Sequence, residues 1–320
     1  LNGPDPVLAA AYDTAGGDGF DFAWEAESDA AAQTFDYQRE MDIGDDYASR
    51  VAWGGLGRAT TRQVAERSVL AYENAASVHP DAAEPHLRAA LVLEVLFDQH
   101  ITQLPDYRRR LIEHYDAFER LAPLDPRLDE ILFERAIQHT HLATIADLEA
   151  ALADYLTLLD RNDLDTAPQA ATTWLGNLGE TYMMLGKMRE AVATYRRALE
   201  VDPTPSHTIG LAVALDRIEE GASARQLLAQ LGEAGIRSFL QATLGPIPSI
   251  FFVPRGEELY YYAMAAESLG FAALARTCFT GFVSSGAHPQ FQERAEAHLK
   301  ALAGKKDVRP PDDELPRCGP

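Results

Sequence analysis

Two histidines one residue apart, His139 and His141, are the first residues whose types suggest chemistry, since imidazole pairs hold transition metals. Their spacing argues against it. On a helix, positions i and i+2 point about 200° apart, whereas pairs sharing a metal stand at i and i+3 or i+4. The segment DRNDLD (160–165) places Asp160, Asn162, Asp163 and Asp165 close together, as calcium loops do. It lacks the loop's central glycine and its closing bidentate glutamate, so we read an acidic turn between helices, and we read Asp42, Asp45 and Asp46 the same way. WGGLGRATT (53–61) could cradle an anion ahead of a helix. It has no phosphate-loop lysine, and the simpler expectation is a flexible lead-in with Thr60 or Thr61 as N-cap. Cys278 and His288 lack a third group to orient a nucleophilic pair. His79, His86, His114 and His288 fall near expected helix ends or turns, where capping is the ordinary role. There is no G-x-S-x-G elbow and no C-x-x-C-H haem site. The sequence nominates no catalytic residue, no metal site and no cofactor, and we expect a protein that is not an enzyme.

The elements that carry these residues read as helices. From about residue 58 onward, apolar residues recur at helical spacing, as in RQVAERSVLAYENAASVHP, where Val64, Val69, Tyr72 and Ala75/Ala76 share a face and Pro80 stops the run. The segments that follow, from EPHLRAALVLEVLFDQH to TIADLEAALADYLTLLDRND, repeat that habit. Only SIFFVP (249–254) resembles a strand. The body is expected to be all-α, with short turns.

The stretch WLGNLGETYMMLGKMREAVATYRRALEVDP (174–203) carries a stricter pattern. Leu178, Gly179, Tyr182, Gly186, Ala191, Tyr195, Ala198 and Pro203 stand at offsets 0, 1, 4, 8, 13, 17, 20 and 25. The physical reading is two packed helices. Small Gly179 and Ala191 allow close approach, Gly186 ends the first helix, Tyr182 and Tyr195 fill the space to the next pair, and Pro203 closes the second helix. The order of these residues resembles the tetratricopeptide repeat, a helix–turn–helix of about 34 residues; Leu175 stands where the first signature aromatic is usual. Weaker copies follow at Ala212, Leu215, Ala224, Leu228 and Leu231, and at Ala263, Ala266, Gly270, Ala275, Phe279 and Phe282. Upstream half-copies end at Pro80, at Pro126 and around Tyr155. The resemblance implies a right-handed superhelical solenoid of helical hairpins over residues 58–303. That is about six repeats, the best at 172–205, preceded by an irregular N-terminal arm (1–57) and followed by an extended C-terminal tail (304–320).

Charge narrows the partners. The net charge is −21, and residues 1–50 hold twelve carboxylates against two arginines. Nucleic acid binding needs clustered Lys and Arg, and lysine occurs only at 187, 300, 305 and 306. We therefore expect no nucleic acid partner, and no apolar run reaches the length of a membrane span. The arm mixes acidic residues with Phe20, Phe22, Trp24, Phe35 and Tyr37, aromatics that dock on something, and the apolar insertion LGPIPSIFFVPRG adds Phe251 and Phe252. These are candidate assembly contacts. With two cysteines there is no disulfide framework, but an exported protein could bridge Cys278 to Cys318. Scarce lysine and cysteine and a chain starting at Leu1 lead us to expect a bacterial protein exported to the periplasm or beyond.

In the resembling family, the first helix of each repeat lines a concave face that binds peptide segments. Carried onto this chain, that implies partner contacts from Thr173, Gly176, Asn177, Glu180, Met183 and Met184, and from Glu257, Tyr260, Tyr261, Met264 and Glu267. Two functions follow as expectations. One is an interaction scaffold for a protein or peptide. The other is a self-assembling subunit of a filament, tube or other homo-oligomer, with arm and tail exchanged between copies.

Overall fold

The computed structural model describes residues 20–244, 252–308, 315, 316 and 318, and the side chains from residue 31 onward within that set. Among these residues every regular element is helical. There are thirteen α-helices and one 3-10 turn, Pro289–Phe291. The chain divides into two compact units, residues 1–128 and 129–320.

The first unit contains α1 (Phe20–Trp53), α2 (Arg58–Val78), α3 (Glu84–Asp98) and α4 (Pro105–Leu121). Within residues 20–53 the arm is thus not irregular but one long helix. Among its described side chains the buried stripe is narrow, Met41, Gly44 and Val51, and polar and acidic residues interrupt it, so no sustained apolar period shows in that part of the sequence. A Cβ at Gly44 would lie 2.4 Å from the Tyr72 ring, so glycine lets α1 press onto α2. Ser68 Oγ donates to the Gly44 carbonyl at 2.7 Å and Tyr72 OH to Asp45 at 2.7 Å, fixing the register of the pair. The N-cap of α2 is Gly57, not Thr60 or Thr61; the Thr61 hydroxyl instead bonds back to the Gly57 carbonyl at 3.2 Å.

The second unit runs from α5 (Leu128–Leu142) through α6 (Ile145–Arg161), α7 (Pro168–Met184), α8 (Met188–Val201), α9 (Pro205–Arg217), α10 (Gly221–Leu244), α11 (Glu258–Ser268), α12 (Ala272–Ser285) and α13 (Gln292–Leu302). Proline in the first turn of α7 and α9 costs no hydrogen bond there. Thr144 and Thr204 cap α6 and α9 through the backbone N–H of Asp147 and His207, each at 3.2 Å. From α6 on, each helix packs against its successor, and α7–α9 and α9–α11 also touch. Neighbour and next-but-one contacts are what stacked hairpins produce.

Tyr195 shows how the stacking is built. A Cβ at Gly179 would stand 2.9 Å from one edge of its ring, and a Cβ at Gly210 would stand 2.6 Å from the other. The ring of α8 therefore fits between α7 and α9 only because both flanking positions lack side chains. The core continues through Ile209, Ala212, Leu215, Tyr260, Ala263, Ala275, Phe279 and Phe282, all at most 2% exposed. It ends on Leu315 and Cys318, which are buried against their own unit, where Cys318 forms a disulfide with Cys278. Before that, the Val308 N–H donates to the Gly270 carbonyl at 3.0 Å, and Asp307 accepts from the Ala273 N–H at the start of α12.

Candidate functional site

Thr173, Gly176, Asn177 and Glu180 stand at i, i+3, i+4 and i+7 on α7, one face of the helix. They line a cavity of about 280 Å³ in the second unit. Thr140 of α5, Tyr155 of α6 and Tyr195 of α8 enclose it on one side. Thr204, Ser206, His207 and Gly210 line it from the start of α9, and Phe239, Phe252 and Tyr261 supply further aromatic wall. Small residues open the space here: a Cβ at Gly176 would come within 2.9 Å of the His207 ring.

The polar atoms of this cavity are poorly served by the protein. Glu180 Oε2 accepts from Tyr261 OH at 2.6 Å and from Tyr195 OH at 3.4 Å. Glu180 Oε1, Thr172 Oγ1, Tyr155 Oη and His207 Nδ1 are buried and complete no hydrogen bond; Tyr155 approaches Thr140 and Asn177 without closing one. Burial raises the Glu180 carboxyl above the usual range, against the opposing pull of Tyr261 and Arg217. Burial lowers the His207 imidazole, so that ring is neutral near pH 7.

Behind the cavity lies a buried charge cluster. Arg217, the last residue of α9, and Glu257 both have fully buried side chains and approach to 2.7 Å. The guanidinium lies over the rings of Tyr260 and Phe291, 4.6 and 4.2 Å from their centroids. Burial pushes Glu257 up to about 8, with Arg217 opposing. His288 comes within 3.6 Å of Glu257, and burial pushes it down to about 3. Beside them, Asp216 accepts from Arg294 at 2.5 Å, Tyr260 OH at 2.6 Å and His298 Nε2 at 2.9 Å. The other ring nitrogen of His298 meets Glu267 at 2.7 Å. Burial alone would lower His298, but these two carboxylates hold it up at about 9.

Of the residues expected to face a partner, the structure brings Thr173, Asn177, Glu180 and Tyr261 together at the cavity. Four others are placed differently. Met183 is fully buried beneath Arg217, whose Nη1 lies 3.8 Å from its sulfur. Met184 and Met264 are buried, and Tyr260 is fully buried against Phe279 and Phe282. In these hairpins the inward face of a first helix is partly covered by neighbouring helices, so only some of its positions reach the cavity. Among the candidate assembly contacts, Phe35 is 68% exposed, Tyr37 stands edge-on to His79 at 5.0 Å, and Phe252 packs 4.9 Å from Tyr261. Phe20, Phe22 and Trp24 lie on α1, with their side chains outside the described residues, as is Phe251. His139 is engaged by Asp147 at 3.1 Å, and Asn162 of the acidic turn donates to Asp129 at 2.9 Å. Sequence reasoning missed Thr172, His207, Gly210 and Phe239. The one local signal was Thr-Pro-Ser-His at 204–207, which sets a histidine in the first turn of a helix.

Comparison with known proteins adds the following. Residues 173–205 match the sequence model of the tetratricopeptide repeat. No curated protein sequence matches the chain. Among solved structures, the chain is similar to that of a MamA protein, at 15% identity and a TM-score of 0.44, covering 68% of this chain and 98% of the other. It is also similar to the PilF structure from Pseudomonas aeruginosa, at 15% identity and a TM-score of 0.45, covering 81% and 99%. The matched residues coincide with the α7–α8 hairpin, where Tyr195 is held against Gly179. That hairpin is a tetratricopeptide repeat.

Proposed function

We propose that the second unit is a non-catalytic interaction module that takes a segment of a protein partner into the cavity beside α7. The observation that carries this reading is the cavity itself, with its row of Thr173, Asn177 and Glu180 and its aromatic walls. Recognition sites of this kind combine apolar walls with a few polar groups that fix orientation. Among the described residues, no helix is long and apolar enough to cross a membrane, and no cluster of potential metal ligands occurs. The test is selection of displayed peptides on the whole chain. Peptides retained by the wild type should fail on a Glu180→Arg variant of unchanged helicity; equal retention by both would remove the cavity from the reading.

A second reading, assembly with further copies, draws support from α1, where Phe35 and Ile43 are exposed beside Tyr47. Sedimentation of the wild type against Phe35→Ser tests it: an identical monomer at all concentrations would sink the idea. Export to an oxidising compartment is supported by the Cys278–Cys318 bond, since such bonds persist mainly outside the cytosol.

A further inference from the structure

We propose that the cavity of the second unit is a cage for a lysine side chain of the partner, with the ammonium at Glu180 and the methylenes against the aromatic walls. This rests on the reading of that unit as a peptide-binding module and names what the module selects.

Charge count comes first. Arg217 is answered by Glu257 at 2.7 Å, while its field also reaches Glu180, and His288 beside them is neutral near pH 7. One buried positive charge faces two buried carboxylates, so one carboxylate lacks a countercharge. An unpaired buried carboxylate is costly and ordinarily holds a proton or a cation. Burial raises both Glu180 and Glu257 even against the pull of Arg217, consistent with that deficit.

The unpaired atoms then specify the donor. Glu180 Oε1, Thr172 Oγ1, Tyr155 Oη and the neutral His207 Nδ1 can all accept hydrogen bonds, and all four belong to residues lining the cavity. An ammonium offers three N–H donors and no acceptor. It also favours aromatic surroundings, here Tyr155, Tyr195, Phe239, Phe252 and Tyr261.

Lysine fits better than arginine. A guanidinium seeks both oxygens of a carboxylate as a planar fork. Glu180 Oε2 is already taken by the hydroxyls of Tyr261 and Tyr195, leaving one oxygen, which suits a point charge. A partner carrying lysine also complements a chain of net charge −21.

The experiment titrates the full chain with four probes and follows the amide resonances of Gly176 and Gly210. The probes are the capped pentapeptide Ac-Ala-Gly-Lys-Gly-Ala-NH2, its norleucine and arginine counterparts, and n-butylammonium chloride. The lysine peptide should give saturable shifts at both glycines. Affinity should fall about tenfold or more for the norleucine and arginine peptides and in Glu180→Gln. If Glu180→Gln loses its helicity, Thr173→Trp carries the test, because it blocks the mouth from an exposed position and leaves the carboxylate in place. No shift from the lysine peptide, or equal shifts from norleucine, overturns the proposal. Charge-independent peptide shifts elsewhere on α7 and α9 would remove the cage while leaving the peptide-binding reading intact. Butylammonium binding with all three peptides inert would make the cavity a free-amine site and overturn both.

Discussion

The two units use charge in opposite ways. In the first, Arg88 and Arg110 lie near the surface and bridge helices, although Arg108 is buried. Arg88, with a side chain 36% exposed, spans Glu84 at 3.0 Å and Asp45 at 2.5 Å, and Arg110 spans Glu66 and Glu73 at 2.7 and 2.9 Å. In the second, the principal pairs are inside. Arg217–Glu257 is fully buried, Arg135–Asp154 nearly so, and Asp216 sits under His298 and Arg294. Solvent-exposed pairs contribute little because water already satisfies the charges. Buried pairs fix a geometry, since no solvent is available to replace a lost partner. The first unit's charges thus decorate a packed set of helices, while the second unit's charges define where α9, α11 and α13 must stand.

The largest expected break in that contrast is Arg217→Ala. It strands Glu257 with no counterion, and a loss on the order of 3–5 kcal/mol is expected in denaturant unfolding of the whole chain. A loss no larger than that of a surface arginine would erase the distinction between the units. Reduction of Cys278–Cys318 comes next. It frees a loop spanning 40 residues of sequence, and a loss of about 3 kcal/mol is expected, read as a lower unfolding midpoint with reductant present.

A pH titration sharpens the contrast by sign. His298 is held at about 9 and Glu257 at about 8, both above their ordinary values of 6.5 and 4.5. The folded second unit therefore binds more protons than the unfolded chain in this range. Its His298 contribution is complete below pH 6.5 and is lost as the pH rises through about 9, amounting to about 3 kcal/mol. In the first unit, burial and the neighbouring His114 lower His86, so its contribution has the opposite sign: it disfavours the fold in acid, and that penalty is relieved as the pH rises to 6.5. With the intrinsic pH dependence divided out, amide exchange should slow in α3 as the pH is raised to 6.5 and accelerate in α13 as it is raised from 6.5 through about 9. Parallel changes in both helices would refute the assignment. The smallest effect is expected from Arg88→Ala, at about 0.5 kcal/mol, with the same unfolding assay as the check.

How much of this was legible in the sequence depends on the distance over which each feature is encoded. The α7–α8 hairpin could be read because Gly179, Ala191 and Tyr195 interact within one repeat at fixed offsets. The cavity was half legible. Thr173, Asn177 and Glu180 follow from the period of α7, whereas their counterparts arrive from distant helices: Tyr261 reaches Glu180 across 81 residues. The buried cluster had no local signature, because Asp216 and His298 are 82 residues apart and each looks like an ordinary surface residue in its own helix. Met183, Met184, Tyr260 and Met264 were misplaced because the helical period says which face points inward but not how far the next hairpin covers it. The helix at 20–53 was missed because the buried stripe among its described side chains is too thin for an apolar period to stand out from the polar and acidic residues.

The tyrosine held between Gly179 and Gly210 has a consequence for dissection of the molecule. The matched repeat closes at residue 205, yet one edge of its Tyr195 ring is held by Gly210 of α9, the helix that begins there. The natural cutting points of the chain are therefore not the repeat boundaries. A fragment ending after α8 would carry a half-bare aromatic ring, and one starting at α9 would present an empty slot at Gly210. The severable piece is set by where rings are shared, and here that joins α7, α8 and α9 into one indivisible block.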